Sequence, residues 1–183
     1  MSSEDRRDDL NALKQRALWA LEHAAERDPA IPADANPPSA RLWQYPSFGS
    51  YVSWTLFAPK FKGDAGRCMV RRVIWDQMHD LARFADPLEG IRQGFRAPPT
   101  ILVADARVSI ARFEHVAERF ALCPIPVLGI EAPFGLDGDS YGLETFDLFL
   151  RIRLEWWDEG PRTWGRFVAT LADFRQELDA IFA

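Results

Sequence analysis

Polar and apolar positions alternate most clearly between residues 148 and 157. Leu148, Leu150, Ile152, Leu154 and Trp156 fall on one parity, and Phe149, Arg151, Arg153, Glu155 and Trp157 on the other. One apolar and one largely charged side is the pattern of a strand with one face buried. Asp158-Glu159-Gly160-Pro161 ends it, and Pro161 suits the first position of a helix, where no N–H is needed. Beyond it Trp164, Phe167, Val168, Leu171, Phe174, Leu178, Ile181 and Phe182 recur at helical steps and form one apolar stripe. Ahead of the strand, Asp137-Gly138-Asp139-Ser140-Tyr141 is an Asp-Gly pair in a polar cluster, which predicts a tight turn.

The same reading from the start of the chain gives a helix from about Asp5 to Arg27, with Leu10, Leu13, Ala17, Leu21 and Ala24 on its stripe. Ser3 or Asp5 is placed to cap it, and Trp19, off the centre of the stripe, is a candidate second contact. Residues 28–40 hold Pro29, Pro32, Pro37 and Pro38 and read as an extended linker. That linker leaves the first helix free to attach loosely or to swap between subunits. Strands are predicted at Tyr51–Ala58 and Cys68–Trp75 around a Gly-containing loop. Asp76 caps a short helix carrying Met78, Leu81 and Phe84, and Asp86-Pro87 opens a further helical turn that stops near Gly94. Residues 100–104 read as a buried strand, and Ser109 caps a helix with Ile110, Phe113, Val116, Ala117 and Phe120. Val127–Glu131, flanked by prolines, reads as an edge strand. The expected class is α+β: a mainly antiparallel sheet of about five strands, packed by N-terminal, middle and C-terminal helices, in a single domain spanning residues 1–183.

Composition narrows the partners. With Asp+Glu 27 against Lys+Arg 22, the formal charge is -5. An acidic surface repels phosphates and anionic lipid, so neither nucleic acid nor membrane is expected, and a basic protein suits it better. No apolar run reaches the ~20 residues of a membrane span, and the charged start has no apolar leader behind it, so a cytoplasmic location is expected. Cys68 and Cys123 form neither a disulfide framework nor a zinc motif. No metal site or cofactor is expected.

One catalytic pattern is present: Gly138-Asp139-Ser140-Tyr141-Gly142 matches G-x-S-x-G, whose serine works on a sharp strand-to-helix turn. The segment after Ser140 reads as a strand, and His23, His79 and His115 all precede it. A triad in another order is open to geometry, with His79, beside Asp80 and near Asp76, or His115 as base. The balance favours a turn serine, with no catalytic residue assigned and a small serine hydrolase as the alternative. A further alternative is a small-ligand cleft between sheet and helix.

The seven tryptophans are the stronger oddity. Trp54 and Trp156 fall on apolar strand faces. Trp43, near Tyr45 and Phe48, and Trp157, on the charged side of its strand, read as less buried. Trp and Arg anchor protein interfaces because they bury much area and keep a polar handle. Trp43 and Trp157 are therefore candidate protein-binding residues, with Asp158 and Glu159 at the rim.

The closing pattern, Asp137-Gly138-x-x-Tyr141-x-Leu143 followed by Trp156-Trp157-x-x-Gly160-Pro161-x-x-Trp164, resembles the C-terminal ends of uncharacterised bacterial single-domain proteins. Some of these are of the kind found beside toxin genes as immunity proteins. The resemblance covers about the last quarter of the chain and implies a non-enzymatic domain that binds another protein, a basic toxin in the most specific version. It brings no catalytic residue with it.

Overall fold

The computed structural model describes residues 3–27, 38–57, 67–85, 98–121, 138–146 and 151–183. They form helix α1 (Ser3–Arg27), strands β1 (Ala40–Pro46), β2 (Tyr51–Phe57) and β3 (Arg67–Trp75), helix α2 (Gln77–Ala85), strand β4 (Ile101–Ser109) and helix α3 (Ile110–Ala121). Strands β5 (Asp139–Phe146) and β6 (Arg151–Trp157) follow, then a 3-10 turn at Arg162–Trp164 and helix α4 (Gly165–Asp179). The class is α+β, with one antiparallel six-stranded sheet in the order β4-β3-β2-β1-β5-β6.

Each face of the sheet buries an amphipathic helix. On one, Leu42, Trp54, Leu56, Val70, Leu143 and Trp156 meet Phe167, Leu171, Phe174 and Leu178 of α4. On the other, Tyr51, Val73 and Trp75 meet Leu13, Ala17 and Leu21 of α1, the stripe expected from the sequence. Burying each such leucine contributes about 1.5–3 kcal/mol, and the Ser53 hydroxyl adds a hydrogen bond to the Leu21 carbonyl at 3.1 Å. The first helix is thus fastened to the sheet. Two of the expected caps form: the Asp76 carboxylate accepts from the His79 N–H at 3.0 Å and the Ser109 hydroxyl from the Arg112 N–H at 3.3 Å, while Ser3 and Asp5 both lie inside α1.

The elements depart from expectation in several places. Residues 40–46 form a strand that was not expected, and the strand expected after Ser140 is present but begins at Asp139, inside the tight turn expected at 137–141. β1 and β5 pair with each other from Ala40↔Thr145 to Pro46↔Asp139, so Asp139–Tyr141 is strand, while Gly138 is a bend before it and Asp137 lies outside the described residues. The strand expected to be buried at 100–104 is instead largely exposed, with Leu102 and Val103 about half open, because β4 ends the sheet among the described residues. It runs on to Ser109, past Asp105, which gains a two-pronged bond from Arg71 at 2.7 Å. Pro161 precedes the 3-10 turn, so α4 starts only at Gly165. The described part of the long C-terminal strand starts at Arg151. The expected linker at 28–37, the helical turn at 86–94 and the strand at 127–131 lie outside the described residues, as do 148–150.

Candidate functional site

The G-x-S-x-G block is a strand rather than an elbow. Strand alternation puts Ser140, Gly142 and Glu144 on the face that carries α1. Ser140 stands between Tyr45 on β1 and Trp157 on β6. Both glycines make room for the tryptophans singled out above. A Cβ on Gly142 would stand 1.9 Å from Cζ2 of Trp43, and one on Gly138 would stand 2.5 Å from Nε1 of Trp157. Asp139 accepts from Gln44 at 2.8 Å and from the Tyr141 hydroxyl at 2.9 Å. Burial, and then that bond to Asp139, raise the Tyr141 pKa.

The carboxylates beside His79 are likewise committed. Asp76 caps α2. Asp80 is fully buried and accepts from the Trp75 indole at 2.7 Å, the Thr100 N–H at 2.8 Å and the Thr100 hydroxyl at 2.7 Å. Its role is to tie β3, α2 and the start of β4 together, and it does not orient a catalytic imidazole. The His79 and His115 side chains are exposed.

Trp43 corrects the expectation that it is poorly buried: only 3 % of it is exposed. Alternation on β1 turns the ring onto the α1 face, over Gly142, with the Arg41 and Arg153 guanidiniums 5.3 Å and 4.8 Å from its centre. Buried charge surrounds it. Glu144, 1 % exposed, accepts from Arg41 at 2.7 Å and from Arg151 at 2.6 Å. Arg41 also donates to the Glu22 carbonyl of α1 at 2.8 Å. Trp43 is therefore part of the packing.

A groove of about 580 Å³ opens between α1 and the β1–β6 end of the sheet. Leu18 and Trp19 line it from the helix, Tyr45 from the sheet, and Arg16, Glu22, Arg153 and Glu155 supply charge. Trp19 is 44 % exposed, while the other six tryptophans are buried or half-buried. Its ring stacks on His23 at 4.8 Å, which holds it in place. Burial raises the Tyr45 hydroxyl pKa well above that of a free phenol, with Arg41 opposing.

At its far end β6 passes into Trp157, Asp158 and Glu159. Trp157 is half-buried over Gly138, and the two acids are exposed, so these three candidates do come together. Asp158 has a φ of 51, a left-handed conformation that costs most side chains about 1 kcal/mol or more. Its N–H is held by the Asp139 carbonyl at 2.7 Å. On the opposite face a cavity of about 120 Å³ lies between the sheet and α4, lined among others by Tyr141, Trp156, Asp158 and Arg175.

Among the described residues no three His, Cys, Asp or Glu side chains group as metal ligands, and no helix is long and apolar enough to cross a membrane. Compared with protein-family models, curated proteins and solved structures, the chain matches none.

Proposed function

We propose that the chain is a non-enzymatic protein-binding domain. Its contact surface is the groove between α1 and β6, continued by Trp157, Asp158 and Glu159. The observation that carries the reading is Trp19: the one half-exposed tryptophan, pre-set by stacking on His23, at a groove that mixes apolar and charged groups. An ordered aromatic beside partly desolvated arginine is the usual composition of an interface hot spot. Strand alternation puts Trp157 on the same sheet face as Tyr45, so the two halves form one surface. The partner is a basic protein: Arg153 is already neutralised by Glu22 at 3.3 Å and Glu155 at 3.6 Å, which leaves Asp158 and Glu159 exposed at the end of the surface. The net charge of -5 acts in the same sense, speeding the approach of a basic partner. The immunity-type version makes that partner a toxin.

The test is affinity purification of the tagged protein from its native cells, with Trp19→Ala and Asp158→Asn/Glu159→Gln in parallel. A stoichiometric basic protein retained by wild type, lost with Trp19→Ala and released sooner by salt with the acid variant supports the reading. An empty wild-type eluate, or a partner indifferent to both variants, refutes it. The 120 Å³ cavity favours a second reading, in which a ligand of about benzene size binds beside Tyr141 and Arg175. Ligand-induced quenching of tryptophan fluorescence, lost on Arg175→Ala, would distinguish it.

A further inference from the structure

Among the described residues β6 closes one end of the sheet, with β5 as its single strand neighbour. Arg151, Ile152, Arg153 and Glu155 along it are exposed, including 40 % of the Ile152 side chain. Edge strands are usually blunted against pairing by charged side chains, proline or bulges. β6 carries no proline, and its charges are of both signs.

We infer that β6 pairs antiparallel with β6 of a second copy of this chain, joining two six-stranded sheets across a two-fold axis at Leu154. A two-fold normal to the sheet brings together only residues of equal parity, because antiparallel partners project from the same face. This leaves few registers. An axis at Arg153 sets two arginines opposite each other, one at Glu155 sets two glutamates, and one at Ile152 sets Arg151 against Arg153. The axis at Leu154 sets Arg153 against Glu155 twice, Ile152 against Trp156, Arg151 against Trp157 and Leu154 against itself, using all of Arg151–Trp157. It covers the exposed Ile152 with an apolar neighbour and lets a guanidinium meet an indole. Opposite charges across a strand pair stabilise it and like charges oppose it, so the charge order of β6 selects this register over its neighbours. At the other edge Asp105 is already pinned by the buried Arg71, and Ser109 leads directly into α3. Arg153 and Glu155 also line the groove on the α1 face, so the two readings share side chains, and a cross-link at Leu154, which does not line the groove, reports on the edge alone.

Sedimentation equilibrium of the purified chain at roughly 100 µM, above the dissociation constants of most small interfaces, should give twice the monomer mass. Glu155→Arg alone and Arg153→Glu alone should each be monomeric, since each sets like charges opposite each other. Mixed in equal amounts, they should form a heterodimer, because every such pair then has opposite sign. Leu154→Cys gives a readout on an otherwise unchanged edge. Paired residues at a non-hydrogen-bonded position stand about 4.5 Å apart, so oxidation should yield a disulfide-linked dimer, and Val103→Cys on β4 should not. A wild-type monomer, a dimer that survives Glu155→Arg, or a Leu154→Cys chain that stays unlinked would overturn the inference. A wild-type monomer that gains mass only with another protein would assign the edge to that partner.

Discussion

Replacing Gly142 with alanine tests why β5 is shaped as it is. The backbone of Gly142 is not left-handed, so alanine is permitted there, and fewer unfolded conformations would by themselves favour the variant by about 0.5–1 kcal/mol. Packing acts the other way. The added methyl would stand 1.9 Å, 2.1 Å and 2.6 Å from three carbons of the Trp43 ring. Ordinary carbon contact begins near 3.5 Å, so the ring must retreat by about 1.6 Å. It has little room, being 3 % exposed and flanked by the Arg41 and Arg153 guanidiniums. Overpacking of this kind costs about 1–3 kcal/mol. Displacing two guanidiniums puts Gly142→Ala at the top of that range, so the expected net loss is about 2 kcal/mol. Urea denaturation followed by tryptophan fluorescence reads it as a lower midpoint at unchanged slope. In a Trp43→Leu background the same alanine should cost less than half as much, since the ring it strikes is gone. A cost below about 0.5 kcal/mol in wild type, or an equal cost in both backgrounds, would refute the reasoning.

Three further outcomes are expected. Glu144→Ala strands the buried Arg41 and should lower stability by about 3–5 kcal/mol in the same titration; a loss below about 1 kcal/mol would show that the pair is replaceable. Because the folded-state pKa of Tyr45 is raised, the native state keeps a proton that the unfolded chain releases above pH ~10, so stability falls as pH rises through that value, by at most about 1.4 kcal/mol per unit for this group. Tyr45→Phe should match wild type near pH 8 and lose less by pH 11, and parallel curves would contradict this. Asp158→Gly removes the left-handed strain and should raise stability by up to about 1 kcal/mol while weakening partner binding; a stability loss would show that the carboxylate itself holds the turn.

Much of the fold was legible because it rests on periodicity. The α1 stripe, the β2–β3 pair, the caps at Asp76 and Ser109 and the α4 stripe follow from spacing alone. β1 was not legible, and β5 only from Ser140 onward, since each is short and defined by a partner far away in sequence. The same distance hid the roles of single residues. Trp43 looked exposed in a proline-rich stretch because its cover comes from Arg41, Gly142 and Arg153. The packing role of the glycines in the G-x-S-x-G match was hidden because nothing local shows a tryptophan above each. Trp157, Asp158 and Glu159 come together because they adjoin in sequence. The groove does not share that advantage: its walls come from α1, β1 and β6, and Trp19 off its helical stripe was the one local signal.

A photo-crosslinking residue at Gln15, inside the groove, tests the binding surface most directly when compared with one at the exposed His115 of α3. In native cells the account predicts one discrete adduct from position 15, containing a basic protein, and none from position 115. No adduct at position 15, or the same adduct from both positions, would contradict it.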